Sequence, residues 1–184
     1  MKKVLIGMGI VAVILAAAFL YMNNRNRTLS PPGSAKLNNG KLAIELTYSR
    51  PSVKGRIVFG TEAEEALQPY GTYWRLGANE STEITFNTDI LFDGKHVSHG
   101  TYRMYAIPGK KYFEVGLNTK LGEWGYFEPD YGLDVLIVQI PVIENGLTEQ
   151  HTISLSAQGD NGIDVVIEFE KIKLVIPVIP QYWD

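Results

Sequence analysis

Nineteen consecutive uncharged residues, Val4 to Met22, stand behind Lys2 and Lys3, and after residue 40 the apolar pattern changes period altogether. At about 1.5 Å per residue the run makes a helix about 28 Å long, close to the roughly 30 Å of a bilayer's hydrocarbon core. Beyond it, period-two alternation recurs, as in strands with one buried face. Leu42, Ile44, Leu46 and Tyr48 share one face of a first strand, and Ile84 with Phe86 mark the next. Tyr102, Met104 and Ala106 alternate with Arg103 and Tyr105, and Phe113, Val115 and Leu117 alternate with Glu114 and Asn118. Ile153 with Leu155, then Val165, Ile167 and Phe169, then Leu174, Ile176 and Val178 complete the set. One-sided burial of this kind belongs to antiparallel sheets.

The breaks between runs carry turn chemistry. Asp93-Gly94, Pro108-Gly109 and Asn161-Gly162 supply the positive or fixed φ that tight hairpins need. Asp134–Ile143 is apolar on both faces and reads as a central strand, with Pro141 near its end, where a missing N–H does least damage. Thr61–Gln68 resembles a helix of two turns at most. The expected architecture is all-β: an antiparallel β-sandwich, jelly-roll or immunoglobulin-like, of about ten strands behind one N-terminal transmembrane helix. Residues 1–22 form the transmembrane anchor or signal sequence. Residues 23–36, with Asn, Arg, Ser and Pro31-Pro32-Gly33, read as a flexible linker, and residues 37–184 as the exported domain.

Two readings of the leader stay open. Its basic start, apolar stretch and Ala16-Ala17-Ala18 fit a cleaved signal, whereas apolar character continuing through Phe19, Leu20, Tyr21 and Met22 fits an uncleaved anchor. Either way the following chain is sent outward. The expected location is the inner membrane, with the C-terminal domain in the periplasm or outside the cell, or secretion if the leader is removed. Zero Cys excludes disulfides, thiol catalysis, zinc-thiolate sites and a lipidated cysteine anchor. Beyond Met22 the chain carries 15 Lys and Arg against 20 Asp and Glu, net −5, with no basic stripe. That balance argues against nucleic acid as a partner.

One local exception is Arg50-Pro51-Ser52-Val53-Lys54-Gly55-Arg56, three cations in seven residues of loop composition. Converging, these heads suit a carboxylate or phosphate; solvated, or with Arg50 paired to an acid, they are only surface charge. A second concentration is Tyr70-Gly71-Thr72-Tyr73-Trp74-Arg75-Leu76-Gly77-Ala78-Asn79-Glu80. Trp74 is a candidate for stacking on a sugar ring or base, with Arg75, Asn79 and Glu80 orienting its edge. The competing reading has Trp74 plugging an open end of the sandwich and Arg75 bridging to Glu80. The candidate ligand-binding set is therefore Arg50, Lys54, Arg56, Tyr70, Trp74, Arg75, Asn79 and Glu80.

His96 and His99, with Asp93 nearby, resemble a metal clip, yet positions three apart on a strand point to opposite faces, so no metal site is assigned. His151 reads as a surface residue opening a strand. The aromatic loop Gly122–Tyr131 and the terminal Gln181-Tyr182-Trp183-Asp184 are each either a contact platform or a flap over the core. No nucleophile elbow, H-E-x-x-H, Walker sequence or dinucleotide loop is present, and no cofactor is expected.

The string Tyr48-Ser49-Arg50-Pro51-Ser52-Val53-Lys54-Gly55-Arg56, then Phe59-Gly60, Tyr70-Gly71, Trp74-Arg75, Gly77-Ala78-Asn79-Glu80, Gly100-Thr101-Tyr102 and Ile107-Pro108-Gly109, resembles a bacterial envelope family. It is catalogued as domain of unknown function 2911, and the resemblance runs from about Lys41 to Val178 in order. It implies an exported β-rich domain and no activity. His96-Val97-Ser98-His99 departs from that family's pattern, which speaks against a shared metal function there. The leading functional expectation is non-catalytic binding of an anionic or sugar-like ligand. The alternatives are a structural or assembly component of the cell envelope that docks a protein partner and, third, a hydrolase built on paired carboxylates.

Overall fold

A computed structural model describes Lys2–Gln181; the terminal Tyr182, Trp183 and Asp184 lie outside the described residues. Helix α1 (Lys2–Leu29) leads directly into strand β1 (Pro32–Asn39), which forms a hairpin with β2 (Leu42–Ser49). The expected linker over residues 23–36 is thus helix as far as Leu29 and edge strand from Pro32. Asn23–Leu29 holds no Gly or Pro, so nothing ends the helix until Ser30 meets Pro31, whose ring disfavours a helical residue before it. Over Val4–Leu29 the helix is long and apolar enough to cross a membrane, a property shared by anchors and signal sequences.

The remaining strands are β3 (Phe59–Gly60), β4 (Gln68–Pro69), β5 (Thr82–Phe86), β6 (Ile90–Phe92), β7 (Lys95–Val97) and β8 (Gly100–Ile107). They are followed by β9 (Tyr112–Asn118), β10 (Asp134–Pro141), β11 (Ile143–Gln158) and β12 (Gly162–Pro180). Six strands form one antiparallel sheet in the order β1-β2-β5-β8-β9-β10, and four form a second in the order β11-β12-β6-β7. The two sheets pack as a sandwich, and β3 with β4 make a short parallel pair at one end.

The period-two faces meet between the sheets. Leu42, Ile44, Leu46, Ile84, Met104, Val115 and Leu117 face Val165, Ile167, Leu174, Ile176 and Val178, and all are essentially buried. The Asp93-Gly94 turn joins β6 to β7 with φ of 48° and 78°, the left-handed pair that a two-residue hairpin requires. Thr61–Gln68 contains a single 3₁₀ turn at Glu62–Glu64, ended by Glu65 in the left-handed conformation, rather than two α-helical turns.

Two strand assignments change. β10 lies at the edge of the six-stranded sheet, not its centre: Leu136, Val138 and Ile140 are buried, while Val135 and Ile137 are exposed. Its apolar second face therefore looks to solvent. On β8 the polar positions Arg103 and Tyr105 are as buried as the apolar ones, and so is Asn118 on β9. A loop from residue 119 to residue 133 lies over the outer face of the sheet there and covers them.

Candidate functional site at the end of the apolar helix

The first cation-rich loop leaves β2 at Ser49 and runs alongside β11. The Val53 amide donates to the Glu149 carbonyl, the His151 amide donates to the Pro51 carbonyl, and Ser52 pairs with Gln150. Lys54 turns the loop at φ 52°, its amide bonded by the Glu149 carboxylate at 2.9 Å. The second loop is anchored by Trp74, which exchanges two backbone hydrogen bonds with Ala106 of β8. It then reverses through Leu76 at φ 52°, Gly77 at φ 153° and Asn79 at φ 58°. Gly77 is obligatory here, because a Cβ would lie 2.7 Å from the Ser49 carbonyl oxygen.

These loops border a hollow of about 300 Å³, at the small end of the range for ligand pockets. Lys54 and Arg56 come from the first loop and Trp74 and Gly77 from the second, with Gln68 between them. Leu29 and Ser30, the last turn of α1 and its exit, complete the wall. The helix end is tied to the same loops: the Asn79 side chain donates to the Ser30 carbonyl, the Arg50 amide donates to the Pro31 carbonyl, and Arg27 pairs with Glu80.

The charges around this hollow are unusual in their partners. Arg56 folds back, its Nε donating to the Val53 carbonyl and its Nη2 to the Ser52 carbonyl. Arg50 donates to the His151 carbonyl and the Thr152 hydroxyl. Among the described residues no carboxylate lies within 4.0 Å of the Lys54, Arg50 or Arg56 side-chain cations. The nearby acids are engaged elsewhere. Glu149 accepts from the Lys54 amide, and Glu170 from the Val58 and Phe59 amides. Carbonyl dipoles orient these guanidinium groups without neutralising them, which leaves net positive charge at the rim.

Not all of the sequence-derived set gathers here. Trp74 is 2% exposed and forms the floor rather than a platform. Its ring is stacked by Phe169 at 6.3 Å and met edge-on by Phe59 and His151, so the plug reading describes it. Tyr70 lines a different depression, with Lys110 and Glu170, where burial raises its pKa and Glu64 and Glu170 add to the rise. Arg75 donates to the Asn79 carbonyl and lies 5.6 Å over the Tyr126 ring; burial lowers its pKa. Glu80 takes Arg27 rather than Arg75 as its partner.

The histidine motif also differs from expectation. His96 and His99 both approach Asp89, not Asp93, with His99 Nδ1 at 2.8 Å and His96 Nε2 at 3.9 Å. Strand β7 ends at Val97, and the chain bends at His99, whose amide and ring both reach the Asp89 carboxylate. Among the described residues, no group of three or more His, Asp or Glu side chains has a metal-binding arrangement.

The alternation pattern missed a second polar cluster, on the outer face of the large sheet. Arg103 Nη2 donates to the Tyr73 hydroxyl and the Phe127 carbonyl, both at 2.5 Å, with no carboxylate within 4.0 Å among the described residues. Tyr105 donates to Asp134 at 2.5 Å, and Asn118 donates to Asp134 and to the Asp130 carbonyl. Burial and the Asp134 carboxylate together push the Tyr105 pKa far up. The cluster fastens the 119–133 loop. The sequence carried no signal for it, because the loop meets Arg103 and Asn118 through the backbone carbonyls of Phe127 and Asp130 rather than through its aromatic side chains.

No curated protein and no solved structure matches the chain. A family model described as protein of unknown function (DUF2911) matches residues 30–178, the whole sandwich from the helix exit to the last core position of β12. The chain belongs to that family.

Proposed function

We propose that the protein is a non-catalytic binding domain held at the outer face of the inner membrane by α1, with its hollow taking an anionic or sugar-like small molecule or polymer end. The observation that carries this reading is the set of cations at the rim. Lys54 and Arg56 line a concave surface, and neither is neutralised by a carboxylate among the described residues, whereas Arg50 lies against Gly33 and is not part of its lining. Such heads bind a carboxylate or phosphate with little competition from an internal partner. Gln68 and the exposed backbone of the first loop supply neutral hydrogen-bonding groups beside them. The fastening of α1 at Ser30 and Pro31 sets the hollow beside the helix exit, so the site works close to the membrane surface.

The test uses the full chain in detergent with inorganic phosphate, glucuronate and a panel of acidic oligosaccharides. Binding raises the melting temperature by mass action, and the rise is lost at high salt. The Lys54→Gln, Arg56→Gln double variant keeps the unliganded melting temperature and loses the rise. A panel that produces no shift in the wild-type chain overturns the reading.

A further inference from the structure

We infer that the aromatic loop over residues 121–131 is a second membrane contact, seated in the headgroup layer beside the exit of α1. The inference rests on α1 being retained in the bilayer, as proposed above, but not on any ligand in the hollow.

The loop's backbone is held inward with unusual completeness. The Gly125 amide donates to the Asn79 carbonyl, the Ser81 amide to the Glu123 carbonyl, and the Gly122 amide to the Glu83 carboxylate. The Tyr73 hydroxyl donates to the Gly125 carbonyl, and buried Arg103 donates to the Phe127 carbonyl. Yet the large side chains of this fixed loop turn outward: Tyr126 is 68% exposed, Phe127 63%, and Trp124 and Leu121 41% each. Tyr126 and Phe127 meet edge-on at 5.6 Å, so they present one aromatic surface rather than scattered rings. A rigid loop that exposes such a patch calls for an occupant.

Position selects the bilayer as that occupant. Glu80 forms a backbone bridge with Trp124, and the same Glu80 holds Arg27 on the last turn and a half of α1. Arg27 is five residues past Met22, about 7.5 Å beyond the apolar run along the helix axis. The interfacial layer extends about 5–7 Å outside the hydrocarbon core on each side. A pair of contacts therefore links the outer edge of the headgroup layer, where Arg27 stands, to Trp124. Trp and Tyr are the residues that favour this layer, with ring in the apolar region and N–H or O–H in the wet one. The loop thus presses the domain onto the membrane at a point lateral to the helix.

The experiment reconstitutes the full chain into nanodiscs of phosphatidylcholine and phosphatidylglycerol, with or without lipids brominated near the headgroup end of the acyl chain. All chains carry Trp183→Phe, so that Trp74 and Trp124 are the only tryptophans, and emission is compared between the otherwise wild-type chain and Trp124→Phe. The expected result is a loss of emission in brominated discs that is absent from Trp124→Phe, since Trp74 is sealed in the core. A Tyr126→Ser, Phe127→Ser variant, which leaves the inward hydrogen bonds intact, weakens that quenching while melting as the wild type does. Equal quenching in wild type and Trp124→Phe overturns the inference while α1 stays with the lipid. Discs holding two chains, with a Trp124 emission insensitive to bromine, assign the loop to a second copy and overturn it too. Release of the chain by alkaline carbonate removes the anchor reading and this inference together.

Discussion

His151 lies edge-on to Trp74, their ring centroids 5.3 Å apart, at the centre of an aromatic box closed by Tyr48 and Phe169. The imidazole is fully buried, with Nδ1 3.4 Å from the Ser49 carbonyl and Nε2 without a hydrogen-bond partner among the described residues. This residue, expected at the surface, is instead the contact by which β11 grips the floor of the hollow.

Burial drives the His151 pKa down to about 3, against the smaller opposing pull of the Ser49 carbonyl and with Arg50 adding to the depression. The folded state therefore holds a neutral ring, while the unfolded chain takes up a proton near pH 6.5. Stability from this residue is complete above 6.5 and falls as pH drops toward 3, by about 1.4 kcal/mol per unit at most. Urea unfolding of wild type and His151→Leu at pH 7 and pH 5 checks it. The wild-type advantage shrinks by about 2 kcal/mol between the two; an advantage independent of pH contradicts a neutral buried ring.

Tyr48 and Ile153 join the sheets by a reciprocal pair of hydrogen bonds. The Tyr48 hydroxyl donates to the Ile153 carbonyl at 3.1 Å and accepts from the Ile153 amide at 3.0 Å. Tyr48→Phe leaves both backbone groups buried and unpaired, at a cost of about 2 kcal/mol. Thermal unfolding should fall by roughly 6 °C for a chain of this size. A change under about 1 °C would mean that water replaces the hydroxyl.

Arg103 supports the aromatic loop from below. Replacing it by Met keeps the length of the side chain but strands the Phe127 carbonyl and leaves the Tyr73 hydroxyl only its bond to the Gly125 carbonyl, for an expected loss of about 2 kcal/mol. The loss is accompanied by local release of residues 119–133, read as hydrogen exchange or limited proteolysis confined to that segment. Uniform destabilisation with no preference for the loop would assign Arg103 to the general core instead.

Gly77→Ala tests the reversal that turns the second loop. Its φ of 153° and the approach of the Ser49 oxygen leave no room for a methyl group, and the expected cost is about 3 kcal/mol. Gly55→Ala provides the comparison. It too has positive φ, 69°, but nothing lies within 4 Å of its would-be Cβ, so its cost should be about 1 kcal/mol. Equal melting temperatures for the two variants would remove the steric argument.

What the sequence by itself determined is local. The period of two decided which face of β2, β5, β9 and β12 is apolar, and the length of the uncharged run decided that the leader can span a bilayer. Both follow from geometry repeated every residue, without reference to distant partners. The cation cluster at Arg50, Lys54 and Arg56 was equally legible, being contiguous. Only the tertiary structure decided which polar faces are covered. Arg103 and Tyr105 alternate as solvent-facing residues should, yet a loop some 20 residues further along the chain lies over them. It also decided which members of the candidate set meet. Leu76, Gly77 and Asn79 reverse the chain with positive φ, sending Arg75 toward Tyr126 and Glu80 toward Arg27, while Trp74 stays beneath Lys54 and Arg56. Alternation records where a side chain points relative to its neighbours; what waits there depends on chain that folds back from elsewhere.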